Sequence, residues 1–255
     1  MLKILWHHFI CINNPWKTLM SVKKKLCLYF CMLPDHKERQ ANVMLNIRKL
    51  YGQPGFREID IRMFMAYTPK DQVQNISKYI SDEMLEKEQV KKYPNKVYCA
   101  ISHAKIWEEF HDSEYEHMVI LEDDARIRDN FIDNVFSILG ELQSYDSCAL
   151  WSHPHFKRNI DQEFRTVSKN YQKYGALATL ISQPGVEKLL ASLPFTNNPD
   201  MHIGLLNEKS NLNSYVSNLD LVENIGAIDC DDSDSQLGST IFNLPQNRIK
   251  RVDDD

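Results

Sequence analysis

Residues 117–125 read HMVILEDDA, an apolar run that ends in three consecutive carboxylates, Glu122, Asp123 and Asp124. A buried strand normally gives way to turn residues such as Gly, Asn or Ser, and like charges stacked at its exit repel one another unless something positive stands there. Carboxylates on a loop leaving a buried strand are hard oxygen donors, suited to Mg2+ or Mn2+ shared with the phosphates of a bound nucleotide. In that arrangement Glu122 and Asp124, as alternate acids, face the metal, while Asp123 turns aside or meets a ribose hydroxyl. The competing reading of the triplet alone is an exposed turn or a cap for the next helix.

The elements that must position these acids follow from periodicity. LCLYFCML (26–33) is short, continuous and aromatic-rich, a buried strand stopped by Pro34-Asp35, and HKERQANVMLNIRKLYG then repeats apolar residues at helical spacing up to Gly52. IDIRMFMAY (59–67) alternates as a second strand, and 70–92, polar with apolar residues at Val73, Ile76, Ile80 and Leu85, reads as a surface helix or an excursion over a site. NKVYCAISHAKIWEEFHD carries a strong helical stripe with Trp107 in the core. HMVIL is a strand, RDNFIDNVFSILGELQ a helix, SCALWSH a strand, YGALATLIS (174–182) a strand and PGVEKLLASL a helix opened by Pro184. NNPDMHIG (197–204) is turn-rich with an embedded acid, and 229–242 is an acidic loop. This alternation predicts an α/β domain with a mostly parallel central sheet flanked by helices, in which ligands bind beyond the carboxyl ends of strands.

The chain has 255 residues, enough for one large α/β domain, and 43% hydrophobic content supports a sizeable core. Lys plus Arg total 30 against 35 Asp plus Glu, and the net charge of -5 argues against non-specific nucleic-acid binding through a basic surface. Six cysteines (Cys11, Cys27, Cys31, Cys99, Cys148 and Cys230) lie scattered, most within apolar runs, as buried thiols of a reducing compartment do. Cys27 and Cys31 share one strand face, yet no second Cys or His pair accompanies them, which favours two core thiols over a metal site. The N-terminus MLKILWHHFICINNPWKTLM is apolar but interrupted by Lys3, His7, His8, Asn13, Asn14 and Lys17. It lacks the pattern of a membrane span or signal peptide, so the expectation is a cytoplasmic protein with peripheral membrane contact as an option. Residues 1–22 read as a leader outside the core, 23–245 as one domain, and 246–255 as a loose acidic tail.

CAISHAKIWEEF (99–110), VILEDDA (119–125), YGALATLIS with PGVEKLL (174–190), NPD (198–200) and SQLGSTI (235–241), in this order, resemble glycosyltransferase family 25. That family contains bacterial lipooligosaccharide and procollagen galactosyltransferases. The resemblance spans about residues 26–243 and implies a single GT-A-like nucleotide-sugar-binding domain. It further implies a hexosyltransferase that moves galactose or glucose, with inversion, from a UDP-sugar to a hydroxyl of a glycan, lipid-linked or protein acceptor, as in lipopolysaccharide biosynthesis. Mn2+ or Mg2+ would be the cofactor, held by Glu122 and Asp124.

The same resemblance makes Asp200 the candidate catalytic base, against a helix-cap reading of equal weight. It places Arg39, Ser102, His103, Asp123, Gly175, Gln236 and Ser239 on the donor side. Each has a plainer alternative: a salt-bridge residue for Arg39, which follows Glu38, a hydrogen-bonded core residue for His103, and a strand-start glycine for Gly175. Asp229, Asp231, Asp232 and Asp234 compete as a further metal ligand. Departures from the family pattern are Gln40 in place of a second arginine, Lys96 and Val97 where an acid is usual, and Ala176, Leu177 and Thr179 in the Gly-rich strand. These leave the donor sugar open and admit an alternative, a catalytically degenerate glycan- or nucleotide-sugar-binding domain of the same fold.

Overall fold

The computed structural model describes residues 26–151, 166–169 and 176–225. Gly175, Gln236, Ser239, the acids of 229–242, the leader and the tail lie outside the described residues. In chain order the elements are β1 (Leu26–Met32), α1 (Lys37–Tyr51), β2 (Ile59–Met65), α2 (Asp82–Glu86), α3 (Glu88–Lys92), α4 (Asn95–His111), β3 (His117–Glu122) and β4 (Ala125–Ile127). There follow α5 (Phe131–Glu141), β5 (Ser147–Ala149), β6 (Val167–Lys169), β7 (Ala178–Ser182), α6 (Gln183–Ala191), α7 (Pro199–Glu208), β8 (Ser214–Ser217) and β9 (Val222–Asn224).

Seven strands form the main sheet in the order β2-β1-β3-β7-β5-β8-β6, and β4 pairs with β9 in a separate ribbon. β2, β1 and β3 run parallel to one another, β7 runs against β3 and β5, β8 runs with β5, and β6 runs against β8. Five of the seven strands therefore share a direction. Because β7 is reversed, its start meets the carboxyl end of β3: Leu121 pairs with Ala178, and Glu122 N–H donates to Leu177 O at 2.9 Å.

Alternation along β1 splits the core into two layers. Cys27, Tyr29 and Cys31 face a layer that holds Ala100, Ile101, Ala104, Trp107 and Phe110 of α4 and Val186 and Leu189 of α6. Leu26, Leu28, Phe30 and Met32 face Val43 and Leu50 of α1 and Phe131, Ile132, Val135 and Ile138 of α5. Trp107 and Phe110 are fully buried, each contributing about 1.5–3 kcal/mol of apolar transfer or more. Cys27 and Cys31 are buried free thiols.

Of the two readings of 70–92, a surface helix or an excursion over a site, the single helix does not hold. The segment is a 3-10 turn at Ile76–Lys78 followed by two five-residue helices. Asn75 takes a left-handed φ of 53°, Ser81 Oγ caps α2 by accepting from Met84 N–H, and Lys87 is extended, so the backbone breaks at each point despite helical spacing. The turn-rich NNPDMHIG instead starts a helix: Asn198 is the cap, Pro199 occupies the first helical position and Asp200 the second.

Candidate active site

The acidic triplet stands at the carboxyl end of β3, on the turn into β4, and all three side chains are buried. The fold supplies the missing positive partner from the first turn of α1. Arg39 Nη1 lies 2.6 Å from Asp123 Oδ1 and 3.3 Å from Asp124 Oδ2, with its side chain 10% exposed. Burial opposes charge on the guanidinium, but Asp124 and Asp123 outweigh it and raise its pKa. The other oxygen of Asp123, Oδ2, accepts from Leu33 N–H at 2.9 Å, so both its oxygens are used inside the protein. Glu38 and Arg39 both stand in the first turn of α1.

The turn's backbone is pinned from α1 as well. Asn42 Nδ2 donates to the carbonyls of Asp123 and Ala125 at 3.0 and 2.8 Å. Asn46 Nδ2 donates to Ala125 O at 2.6 Å and its Oδ1 accepts from Ile127 N–H at 3.1 Å. Asn42 and Asn46, four residues apart, share the buried face with Arg39. Polar residues on the inward face of a helix were the signal for this role, which apolar periodicity passes over.

Glu122 points the other way, in phase with Met118 and Ile120, toward α4. Its Oε1 is 3.4 Å from His103 Nε2, both residues being buried. Its pKa is raised well above the ordinary carboxylate range, by burial first and then by Asp124, Asp200 and Asp123, with Arg39 opposing. Burial alone drives His103 down to about 4, so the imidazole is neutral at pH 7. The hydroxyl of Ser102, next to it, accepts from Tyr67 N–H at 2.8 Å and donates to Tyr98 O at 2.7 Å.

Asp200 enters from α7, with Oδ1 accepting from Met201 N–H at 2.9 Å. It acts electrostatically on Glu122 and on Lys96, a lysine of α4 that is only 6% exposed. Burial lowers the Lys96 pKa and Asp200 opposes that shift. Lys96, Cys99 and His103, at i, i+3 and i+7, form a polar stripe on α4 beside its apolar one. Lys96 figured in the sequence only as a departure from the family pattern; a lysine inside a buried helix is the signal that identifies it. The structure thus gathers Glu122, Asp123, Asp124, Asp200, Arg39 and His103, while Gly175, Gln236 and Ser239 lie outside the described residues.

These carboxylates lie at the carboxyl edge of a mixed α/β sheet, and the sequence match gives the family. Residues 28–195, well over half of the chain, match the model of glycosyltransferase family 25 (LPS biosynthesis protein). The chain belongs to that family. No curated relative matches it. Solved structures of similar outline include A197 from STIV, 9% identical, covering 77% of this chain and 83% of that one at a TM-score of 0.40. Another is S. aureus TarS 1–349, 12% identical, covering 78% of this chain and 59% of that one at 0.45. The galactosyltransferase LgtC in complex with donor and acceptor sugar analogs is 13% identical, with 70% of each chain covered at 0.36. The family assignment rests on the sequence match. Among the described residues no helix is long and apolar enough to cross a membrane.

Proposed function

We propose that the domain is a metal-dependent, inverting hexosyltransferase that moves galactose or glucose from a UDP-sugar to a hydroxyl of a glycan, lipid-linked or protein acceptor. One observation carries this reading: Asp124, Asp200 and Asp123 all act electrostatically on Glu122 at the carboxyl end of β3, with Arg39 paired to Asp123 and Asp124 and Lys96 within reach of Asp200. An all-carboxylate set is the donor chemistry that Mn2+ and Mg2+ take, so these residues fit such an ion. Glu122 and Asp124 would hold it, and when bound it supplies positive charge to the departing diphosphate.

The chain's own residues divide the remaining work. Asp200 deprotonates the acceptor hydroxyl. It stands on α7, whereas the metal acids stand on the turn after β3, so the acceptor and diphosphate sides are carried by different elements. Lys96 offsets the charge of Asp200. Arg39 and Asp123, engaged with each other, serve the donor indirectly by fixing the acidic turn. Gly175, Gln236 and Ser239 complete the donor side.

Incubation with Mn2+ and UDP-glucose, UDP-galactose or UDP-N-acetylglucosamine, with free UDP as the readout, tests this. UDP release that disappears in Asp124→Ala is the expected result. No turnover with any donor and acceptor, alongside metal-independent sugar binding, would overturn it in favour of a non-catalytic binding domain of the same fold.

A further inference from the structure

We propose that Cys99, His103 and Glu122 form a soft-donor metal site of the zinc type on the α4 side of the acidic turn. One thiol sulfur, one imidazole nitrogen and one carboxylate oxygen, all from buried residues, lie within 4.8 Å of one another. Two come from a single turn of α4, where i and i+4 side chains stack on the same face, and the third ends β3 on the strand face that packs against that helix. The site shares Glu122 with the proposed function but not Asp124, so the two readings fail separately.

The spacing of these donors suits co-ligation of one ion. His103 Nε2 and Glu122 Oε1 stand 3.4 Å apart, longer than a good N–H···O contact of about 2.7–3.2 Å. Two ligands of one tetrahedral zinc, with bonds of roughly 2.0–2.3 Å, stand about 3.3–3.8 Å apart, a spacing the His103–Glu122 pair already has, while the Cys99 sulfur, within 4.8 Å of both, closes on the ion as it binds. Charge also balances: a Cys99 thiolate and a Glu122 carboxylate cancel a divalent ion, so burying the set carries no net charge into the core. On binding, the Cys99 S–H bond breaks and the sulfur bonds the metal, Glu122 binds as its carboxylate, and the protons displaced from both groups leave to solvent. Cys31, opposite Glu122 in the β1–β3 register and on the same sheet face, is the neighbouring thiol that stands outside this donor set. Thiolate is the discriminating ligand, since Mg2+ and Mn2+ prefer oxygen whereas Zn2+ and Co2+ accept sulfur. Such an ion would staple α4 to β3 and fix one oxygen of Glu122 next to the acids that meet the diphosphate.

Titration of the metal-stripped full chain with Co2+, followed by absorption, tests the site. The expected result is about one equivalent bound with a sulfur-to-cobalt charge-transfer band. Stoichiometric Zn2+ abolishes the band, excess Mg2+ leaves it, and it survives in Asp124→Asn. Cys99→Ser, near-isosteric and checked for folding by circular dichroism, loses it, while Cys31→Ser, which changes the neighbouring thiol, keeps it. Co2+ binding without the band, a band that persists in Cys99→Ser, loss of the band in Asp124→Asn, or no binding at all overturns the proposal. If Co2+ binding without the band depends on Asp124, the carboxylate metal site stands and the soft-donor site falls.

Discussion

Arg39 Nη1 meets Asp123 Oδ1 at 2.6 Å inside the protein, joining the first turn of α1 to the turn after β3. That contact, with Asp124 at 3.3 Å, resolves the electrostatic cost of an acidic triplet at the end of a buried strand. Removing one partner of a buried ion pair leaves the other charge uncompensated, at about 3–5 kcal/mol. Arg39→Met is therefore expected to lose on the order of 3 kcal/mol in urea unfolding monitored by circular dichroism. A midpoint close to that of the parent would show that the pair contributes little.

Lys96 and Asp200 pose the corresponding test for chemistry. The lysine is disfavoured by burial and favoured by the Asp200 carboxylate, and the interaction is reciprocal. With Asp200 as base, Lys96→Met removes a neighbouring positive charge and makes the ionised carboxylate costlier. The acid limb of the kcat/KM profile for UDP release is expected to move to higher pH, while Asp200→Asn abolishes turnover. An acid limb that stays in place in Lys96→Met would separate the lysine from the base.

The strands around the site were legible because buried strands leave short continuous apolar runs: LCLYFCM and HMVILE stand almost as read, and α4 was plain from its stripe. The acids were legible because charge at the end of such a run is conspicuous. Their partners were not, because Arg39 is 84 positions from Asp123 in the chain and Asn42 81 positions, distances at which a single sequence carries no pairing signal. Periodicity also misled over 70–92, where caps and one left-handed residue divide a helical pattern that propensity alone would continue. The helix at Pro199 was obscured by its own start signals, since Asn-Pro-Asp serves equally in turns.

Gly185 fixes the entry of α6 under the sheet. A Cβ there would lie 2.1 Å from Asp146 O and 2.7 Å from Asp146 C, both backbone atoms held by the Ser182 N–H bond to that same carbonyl. Neither neighbour can step aside as a flexible side chain would. Gly185→Ala is expected to destabilise by about 3 kcal/mol, the upper end for overpacking, read as a lower denaturant midpoint with an unchanged slope. A loss within 0.5 kcal/mol, about the effect of an ordinary surface substitution, would mean that the loop before β5 yields.

His202 sets an acid limit on stability. It is 5% exposed, its ring meets Phe195 edge-on at 4.8 Å, and its Nε2 lies 2.8 Å from Ser192 Oγ. Because that hydroxyl donates to Leu189 O, the imidazole is the donor and Nε2 carries the proton. Burial first, then Lys209, lowers the pKa to about 4 from an ordinary 6.5. The unfolded chain therefore binds more protons than the folded one between those values, so the stabilisation is complete above pH 6.5 and is lost as pH falls toward 4. At about 1.4 kcal/mol per pH unit, moving from pH 7 to pH 5 costs on the order of 2 kcal/mol from this residue. His103 adds a loss of the same sign, whereas Glu122, raised by burial, works oppositely above its ordinary value. Urea unfolding of His202→Gln at both pH values isolates the residue: the variant keeps the other contributions and should lose about 2 kcal/mol less than the parent. An identical loss in the two proteins would place the titration elsewhere, because a glutamine at 202 has no proton to gain over this range.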